Sequence, residues 1–286
     1  METFETWYKM YQPYVFAIAY RMLGSITEAE DIIQDIFMDL HERDTSCVHN
    51  MKAYLAKMTT NRCLNLLHSA QKRREIYPGP WLPEPHITQR EQPLDKMLQE
   101  ESVSYAFLVL LERLSPVERA VFVLREAFRF HYSETADILH RTENNCRKLY
   151  SRAKQKIPDE PVFPEQSNHT ARLTNTFLHA AETGDFEAFI NLLTDDVVFY
   201  SDGGGNVKAA TKPVFFKKRV RALLQGIAAK GSFSGNLYPI LINGQTGILQ
   251  IQEGSPVKVI CFRWDREQKN IQNLYFISNP DKLPAL

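Results

Sequence analysis

The 286-residue chain has no net charge: 34 Lys and Arg are balanced by 34 Asp and Glu. That balance excludes a protein that is basic throughout, and leaves room for local patches of either sign. Cysteine is scarce. Cys47, Cys63, Cys146 and Cys261 form no Cys-x-x-Cys pair, so a disulfide framework is not expected. Cys47 and His49 make at most half a metal site. No apolar run is long enough to span a bilayer, and the N-terminus lacks a basic stretch followed by an apolar segment. The chain therefore reads as cytosolic, with no membrane partner. Histidine is absent after His179, which counts against histidine-dependent chemistry in the last third. Internal repeats and low-complexity segments are also missing.

What is present is organised by proline. "YPGPWLPEP" (77–85) carries prolines at 78, 80, 83 and 85, and "IPDEPVFPE" (157–165) carries them at 158, 161 and 164. Each fixes its own φ and extends the preceding residue, so both stretches read as stiff connectors. They divide the chain into domains at 1–76 and 94–157, with linkers at 77–93 and 158–166, and a third domain at 167–286. The first two blocks read as all-α. "TEAEDIIQDIFMDLHE" opens with a capping box, Thr27 to Glu30, and its apolar face is Ile32, Ile33, Ile36, Phe37 and Leu40. "LSPVERAVFVLREAF" starts with Ser115 as cap, Pro116 at the first position and Glu118 closing the box. The third block reads as α+β. Two helical stretches and "DVVFYSDGGG" precede a helical "PVFFKKRVRALLQGIAAK" and four β-rich runs separated by Gly, Pro and Asn.

The charge is distributed unevenly. From Arg141 to Lys156 six basic residues face one acid, Glu143. This stretch fits two short helices around a tight turn at His140-Arg141, with Ser133 capping the first and Thr142 the second. Cys146, Leu149 and Ala153 fall inward. Asn145, Arg147, Lys148, Ser151, Arg152 and Lys156 are left outward for a DNA groove: Asn and Arg bond base edges bidentately, Lys and Ser hold phosphates. The bland alternative is a solvated basic helix. Upstream, Asp31, Asp35 and Asp39 recur every four residues, with Gln34, Met38 and Glu42 beside them. Like charges at that spacing weaken an isolated helix, so the ridge either meets a basic partner or is merely solvated. The next helix mixes Tyr54, Asn61, Arg62, Asn65, His68, Lys72, Arg73 and Arg74, a composition suited to unstacked single strands.

An acidic-ridged helix, a helix rich in Asn, Arg and Lys, then a helix-turn-helix resembles the sigma-70 superfamily, and in its shortness the extracytoplasmic-function (ECF) class with regions 2 and 4 only. The resemblance implies that Asp31, Gln34, Asp35, Met38, Asp39 and Glu42 bind the β′ clamp helices of core RNA polymerase. It implies that Tyr54, Asn61, Arg62, Asn65, Lys72, Arg73 and Arg74 open and read the −10 element. Thr142, Asn144, Asn145, Arg147, Lys148, Ser151 and Arg152 would read the −35 element, with the β flap as a second polymerase contact. Asn65 stands where many such factors have Asp, and His140 where the turn often has Gly.

"WLPEP" (81–85), "DGGG" (202–205) and "NPDKL" (279–283) resemble signatures of the subgroup with a fused SnoaL-like (NTF2-like) domain, a cone with a pocket. That resemblance implies a regulatory domain acting through Trp81, Leu82, Pro83, Asp202, Gly203, Gly204, Gly205, Asn279, Pro280, Asp281, Lys282 and Leu283, in intramolecular contact with the sigma domains. Trp81 and Leu82 are too apolar to stand in water and are expected to dock. The basic cluster Lys212, Lys217, Lys218, Arg219 and Arg221 is a candidate for meeting the acidic N-terminal surface. Asp202, Tyr200, Tyr238, Trp264 and Tyr275 are the expected pocket residues. No catalytic residue, metal ligand or cofactor is assigned. Two competing functions are weighed: a ligand-responsive helix-turn-helix regulator, which leaves the acidic ridge unexplained, and an NTF2-like enzyme with a DNA-binding appendage, which lacks histidines where it needs them.

Overall fold

The computed structural model describes residues 4–43, 48–87, 104–157, 168–267 and 269–284. Cys47, linker residues 88–93 and the linker 158–166 lie outside the described residues. Ten α-helices are described, α1 (Phe4–Leu23), α2 (Ile26–Glu42), α3 (Met51–Glu75), α4 (Tyr105–Leu111), α5 (Pro116–Glu126), α6 (Tyr132–Leu139), α7 (Glu143–Lys156), α8 (Asn168–Thr183), α9 (Glu187–Ile190) and α10 (Lys217–Ala228). Six strands are β1 (Leu193–Asp202), β2 (Val214–Phe215), β3 (Asn236–Ile242), β4 (Gln245–Gln252), β5 (Ser255–Trp264) and β6 (Ile271–Ile277), followed by a 3₁₀ turn at Pro280–Lys282.

The chain divides into two compact units. One holds α1–α3, α4 from Leu108, and α5–α7. The other holds residues 76–87, the start of α4 to Phe107, and everything described from α8 onward. The blocks before and after the first proline stretch thus share a unit, while the described part of that stretch belongs with the third block.

In the all-helical unit, α2 buries the stripe Ile32, Ile33, Ile36, Phe37 and Leu40 that the sequence marks as apolar. Its cap is two residues earlier than the capping box Thr27–Glu30: Ser25 Oγ accepts from Glu28 N–H at 3.2 Å. Gly24, at φ 68°, ends α1 there, so the extended residue available for capping is Ser25. At α5 the Ser115–Glu118 capping box forms in both directions, with Pro116 first. α6 begins at Tyr132 and is not capped by Ser133. The Glu134 carboxylate accepts from His131 N–H at 2.7 Å, which draws the helix start forward. Arg119 is 3% exposed and donates to the Met22 carbonyl at 2.8 Å, tying α5 to the end of α1.

In the second unit the strand order is β2-β1-β6-β5-β4-β3. β1 and β6 pair in parallel; the other pairings are antiparallel. Alternation puts Val197, Phe199, Leu274 and Phe276 into the core that α8–α10 cover, and Tyr200 and Tyr275 on the opposite sheet face. Phe177 of α8 sits at the core's centre, with the rings of Phe186, Phe189, Phe233, Phe262 and Phe276 at 5.0–6.3 Å. The expected helix over 213–230 starts later, at Lys217. Val214 and Phe215 instead pair with Phe199 and Val198 of β1, and Phe216, at φ 72°, breaks the chain between strand and helix.

Candidate functional site

The helix-turn-helix is built around His140. Its backbone is left-handed, at φ 52° and ψ 48°, a conformation histidine tolerates at some cost where glycine is unstrained. His140 and Arg141 N–H groups both bond Ala136 O, closing α6. Thr142 Oγ1 then accepts from Asn145 N–H at 3.2 Å and opens α7. Cys146 and Ala153 are fully buried and Leu149 is half-buried, while Thr142, Asn144, Asn145, Arg147, Lys148, Ser151 and Arg152 are exposed on one face. α7 is pinned from behind: Lys156 Nζ donates to Glu118 at 2.6 Å and the Tyr150 hydroxyl donates to Glu126. Burial works to raise the Glu118 pKa, but its bonds to Lys156 and Ser115 outweigh that and hold the carboxyl below its usual range. The result is a helix held from one side and presenting amides, cations and hydroxyls outward, the chemistry of a duplex groove.

On α2, Asp31, Gln34, Asp35 and Glu42 are exposed, and Met38 is 66% exposed in their midst. Asp39 departs from the ridge. It is half-buried, bridged by Arg62 of α3 and by Arg43 at 3.3 Å. Arg62 is thereby turned toward α2. Asn61 donates to the Ile138 carbonyl of α6 at 3.4 Å, so α3 and the helix-turn-helix are joined within one unit. Tyr54 is half-buried and Asn65 exposed, and the side chains of Lys72, Arg73 and Arg74 lie outside the described residues.

The three motifs of the second unit converge on one carboxylate. Asp202, at the end of β1, is 1% exposed. It accepts from the Tyr77 hydroxyl at 2.6 Å, Leu82 N–H at 2.9 Å, Gly204 N–H at 3.0 Å and Lys282 Nζ at 2.8 Å. Lys282 also donates to Leu82 O at 2.6 Å and lies 4.0 Å from the centre of the Trp81 ring. Asn279 donates to the Tyr77 oxygen at 3.0 Å and caps the 3₁₀ turn through Asp281 N–H. Burial first, then the neighbouring Asp202, push the Tyr77 hydroxyl pKa up. Gly203, Gly204 and Gly205 let this happen sterically. A Cβ on Gly204 would meet Asn279 Cγ at 2.4 Å, and one on Gly205 would meet Pro78 at 2.8 Å. Leu82 is 1% exposed, and Pro83 O accepts from the buried Tyr105 hydroxyl at 2.8 Å. Farther along, His86 and Asn243 exchange hydrogen bonds, and Ile87 bridges Ile242 at the β3 edge. Pro280 and Leu283 complete the turn that aims Lys282 inward. The "WLPEP" stretch is thus an extended ligand of this unit. Tyr77, Tyr105 and Asn243 belong to the anchor although none stands out in the sequence; only the position of Tyr77 directly before the first linker proline hints at it.

The expected pocket residues do not come together. A cavity of about 470 Å³ is bounded by the ends of α8 and α10, the 231–235 loop and the start of β3, including Glu182, Phe233 and Tyr238. Of the five candidates only Tyr238 lines it. Asp202 is consumed by the anchor, Tyr200 and Tyr275 stack on the other sheet face at 5.5 Å, and Trp264 packs on the core. In the basic cluster, Lys217 pairs with Asp195 at 3.2 Å and Arg221 with Glu187 at 2.6 Å. No helix is long and apolar enough to cross a membrane, and no group of metal-binding side chains is found, both among the described residues.

Residues 7–73 match the family model Sigma-70 region 2, and residues 104–157 match Sigma-70, region 4. The ECF RNA polymerase sigma factor SigJ of Mycobacterium tuberculosis is 31% identical over 82% of this chain and 77% of its own length. A probable ECF RNA polymerase sigma factor, SigI of the same species, is 30% identical over 66% of this chain and 67% of its own. The crystal structure of the M. tuberculosis ECF sigma factor SigJ superimposes with a TM-score of 0.79 at 26% identity, covering 97% of each chain.

Proposed function

Because the chain belongs to the ECF sigma factors of RNA polymerase, we propose that its α2 ridge docks on core polymerase, α3 works on the −10 element, α7 reads the −35 element, and the C-terminal unit controls all three through the linker. The exposed face of α7 behind a left-handed turn fits a major groove. Asp31 and Asp35, without ion pairs among the described residues, and exposed Met38 fit a basic protein partner with an apolar centre.

One observation carries the regulatory reading: stretches starting near residues 77, 202 and 279 meet on the buried Asp202 carboxylate. The covalent connection from α3 to the helix-turn-helix is therefore held by the C-terminal unit. Meanwhile Asn61, assigned to −10 recognition, is bonded to a carbonyl of α6. Promoter elements apart on the duplex cannot both be engaged while α3 and α6 stay together, so initiation requires them to part. Anchoring the linker limits how far they do. The C-terminal unit acts in place of a separate inhibitory partner, through the linker first and not through a free surface loop.

Run-off transcription with core polymerase tests this on the full-length protein, a truncation at Gln166, a trim of Asn279–Leu286 and Asp202→Ala. All three altered proteins should start at the same site as the full-length chain, with changed yield, and the trim should match Asp202→Ala because both dismantle one anchor. Equal yield from all four sinks the regulatory reading. Asp35→Arg, at the ridge centre, should weaken core binding with helicity unchanged; unaltered affinity by titration removes the ridge's assigned role.

A further inference from the structure

Tyr132 carries two guanidinium groups on its ring. The Arg125 Cζ lies 4.0 Å from the ring centroid and that of Arg147 lies 4.2 Å from it. Tyr132 is the first residue of α6, whereas Arg147 stands on the exposed face of α7. The ring thus links the helix that supports the turn to the helix that presents outward.

The platform is itself fixed. Tyr132 meets Tyr150 edge-on at 6.0 Å, and Tyr150 stacks on the buried Phe122 at 6.1 Å. Tyr150 is held by its hydroxyl to Glu126. Arg125 donates to the Phe130 carbonyl and so ties down the connection between α5 and α6. Arg147 has a second partner in Glu143, at 3.5 Å, but both side chains are at least half exposed and such a pair contributes little. The ring is therefore the contact that restricts Arg147. An arginine reads a guanine bidentately only when its planar fork is aligned with the base edge, and a long side chain free in water must first be ordered to do so. A guanidinium already lying on a braced aromatic face has that ordering built in.

We propose that Tyr132 is a specificity-determining positioning residue: its ring sets the plane in which Arg147 meets a base pair of the −35 element. The proposal rests on the reading of α7 as the recognition helix, and it assigns a role in sequence discrimination to a residue that need not touch DNA.

The test uses the full-length protein with core polymerase, bound to its promoter and to a set of single base-pair changes across the −35 element. Arg147→Ala should lose discrimination at one position. Tyr132→Leu should lose about three- to tenfold of discrimination at that same position, with binding to unrelated duplex unchanged. Tyr132→Phe, which keeps the ring and drops the hydroxyl, should behave as the parent, and Tyr132→Leu should add nothing to Arg147→Ala. Tyr132→Met, which keeps apolar bulk without a ring, replaces the leucine variant if thermal melting shows that variant unfolded. The proposal is overturned if the ring-less variant weakens all sequences alike, or if its effect adds to that of Arg147→Ala. A different failure, Arg147→Ala with no position-specific effect, overturns the recognition-helix reading and this proposal with it.

Discussion

Lys282 and Asp202 form an ion pair at 2.8 Å in which the ammonium side chain is 7% exposed and the carboxylate side chain 0%. Eighty positions of sequence separate them, and the pair is closed off by the linker: Leu82 supplies an N–H to the acid and a carbonyl to the base. Neither charge has water to fall back on. The anchor is therefore strong only when complete.

Removing one partner should show this. Lys282→Met leaves Asp202 buried without its counter-charge, which costs about 3–5 kcal/mol in comparable sites, whereas replacing both partners by neutral groups costs much less. Denaturation followed by tryptophan fluorescence should rank Lys282→Met well below the double variant Asp202→Asn/Lys282→Met. Hydrogen exchange across residues 77–87 should accelerate in the single variant. A double variant no more stable than the single one would show that the pair is not the organising interaction.

Glycine at 204 is a steric requirement of the same anchor. Its φ is +64° and an added Cβ would stand 2.4 Å from Asn279 Cγ. Gly204→Ala should lower stability by about 1 kcal/mol or more and loosen the Asn279 turn. Gly226, inside α10, meets nothing within 4 Å, so Gly226→Ala should instead stabilise by about 0.5–1 kcal/mol. Melting curves of the two variants should move in opposite directions, and a shared sign would reject the steric account.

The brace behind the recognition helix should titrate. Glu118, bonded to Lys156 and Ser115, has a folded pKa depressed from its ordinary value of 4.5. A depressed carboxyl stabilises the fold above its unfolded pKa, and that contribution disappears as pH falls through the folded value. The wild-type helix-turn-helix should lose stability on going from neutral pH to below about pH 4, and Glu118→Gln should flatten that decline. Exchange of amide protons in α5 and α7 reads this locally. Parallel pH profiles for the two proteins would exclude Glu118 as the titrating brace.

The sequence by itself determined what is local. Helical periodicity placed Ile32, Ile33, Ile36, Phe37 and Leu40 on one buried stripe, because a 3.6-residue repeat has only one apolar side. Ser115, Pro116 and Glu118 marked a helix start through a box closed within four residues, and Thr142 marked that of α7 through its hydroxyl alone. The outward set on α7 followed from the inward set. Two caps fell elsewhere than expected: Ser25 and His131, not Thr27 and Ser133, precede their helices, because of the backbone geometry at Gly24 and the reach of Glu134.

Tertiary structure decided what depends on approach between distant segments. Asp202 was expected in a regulatory contact and beside a pocket; it bonds Gly204 N–H locally, but its other three donors come from residues 77, 82 and 282. No periodicity encodes such a meeting. The same holds for Arg62 and Asn61, whose side chains are occupied by Asp39 and the Ile138 carbonyl, and for the ring of Tyr132 under Arg147. Spacing along a helix tells which side chains leave it together, because backbone geometry is fixed by near neighbours. Which of them finds a partner depends on burial, and burial is a property of the packed chain.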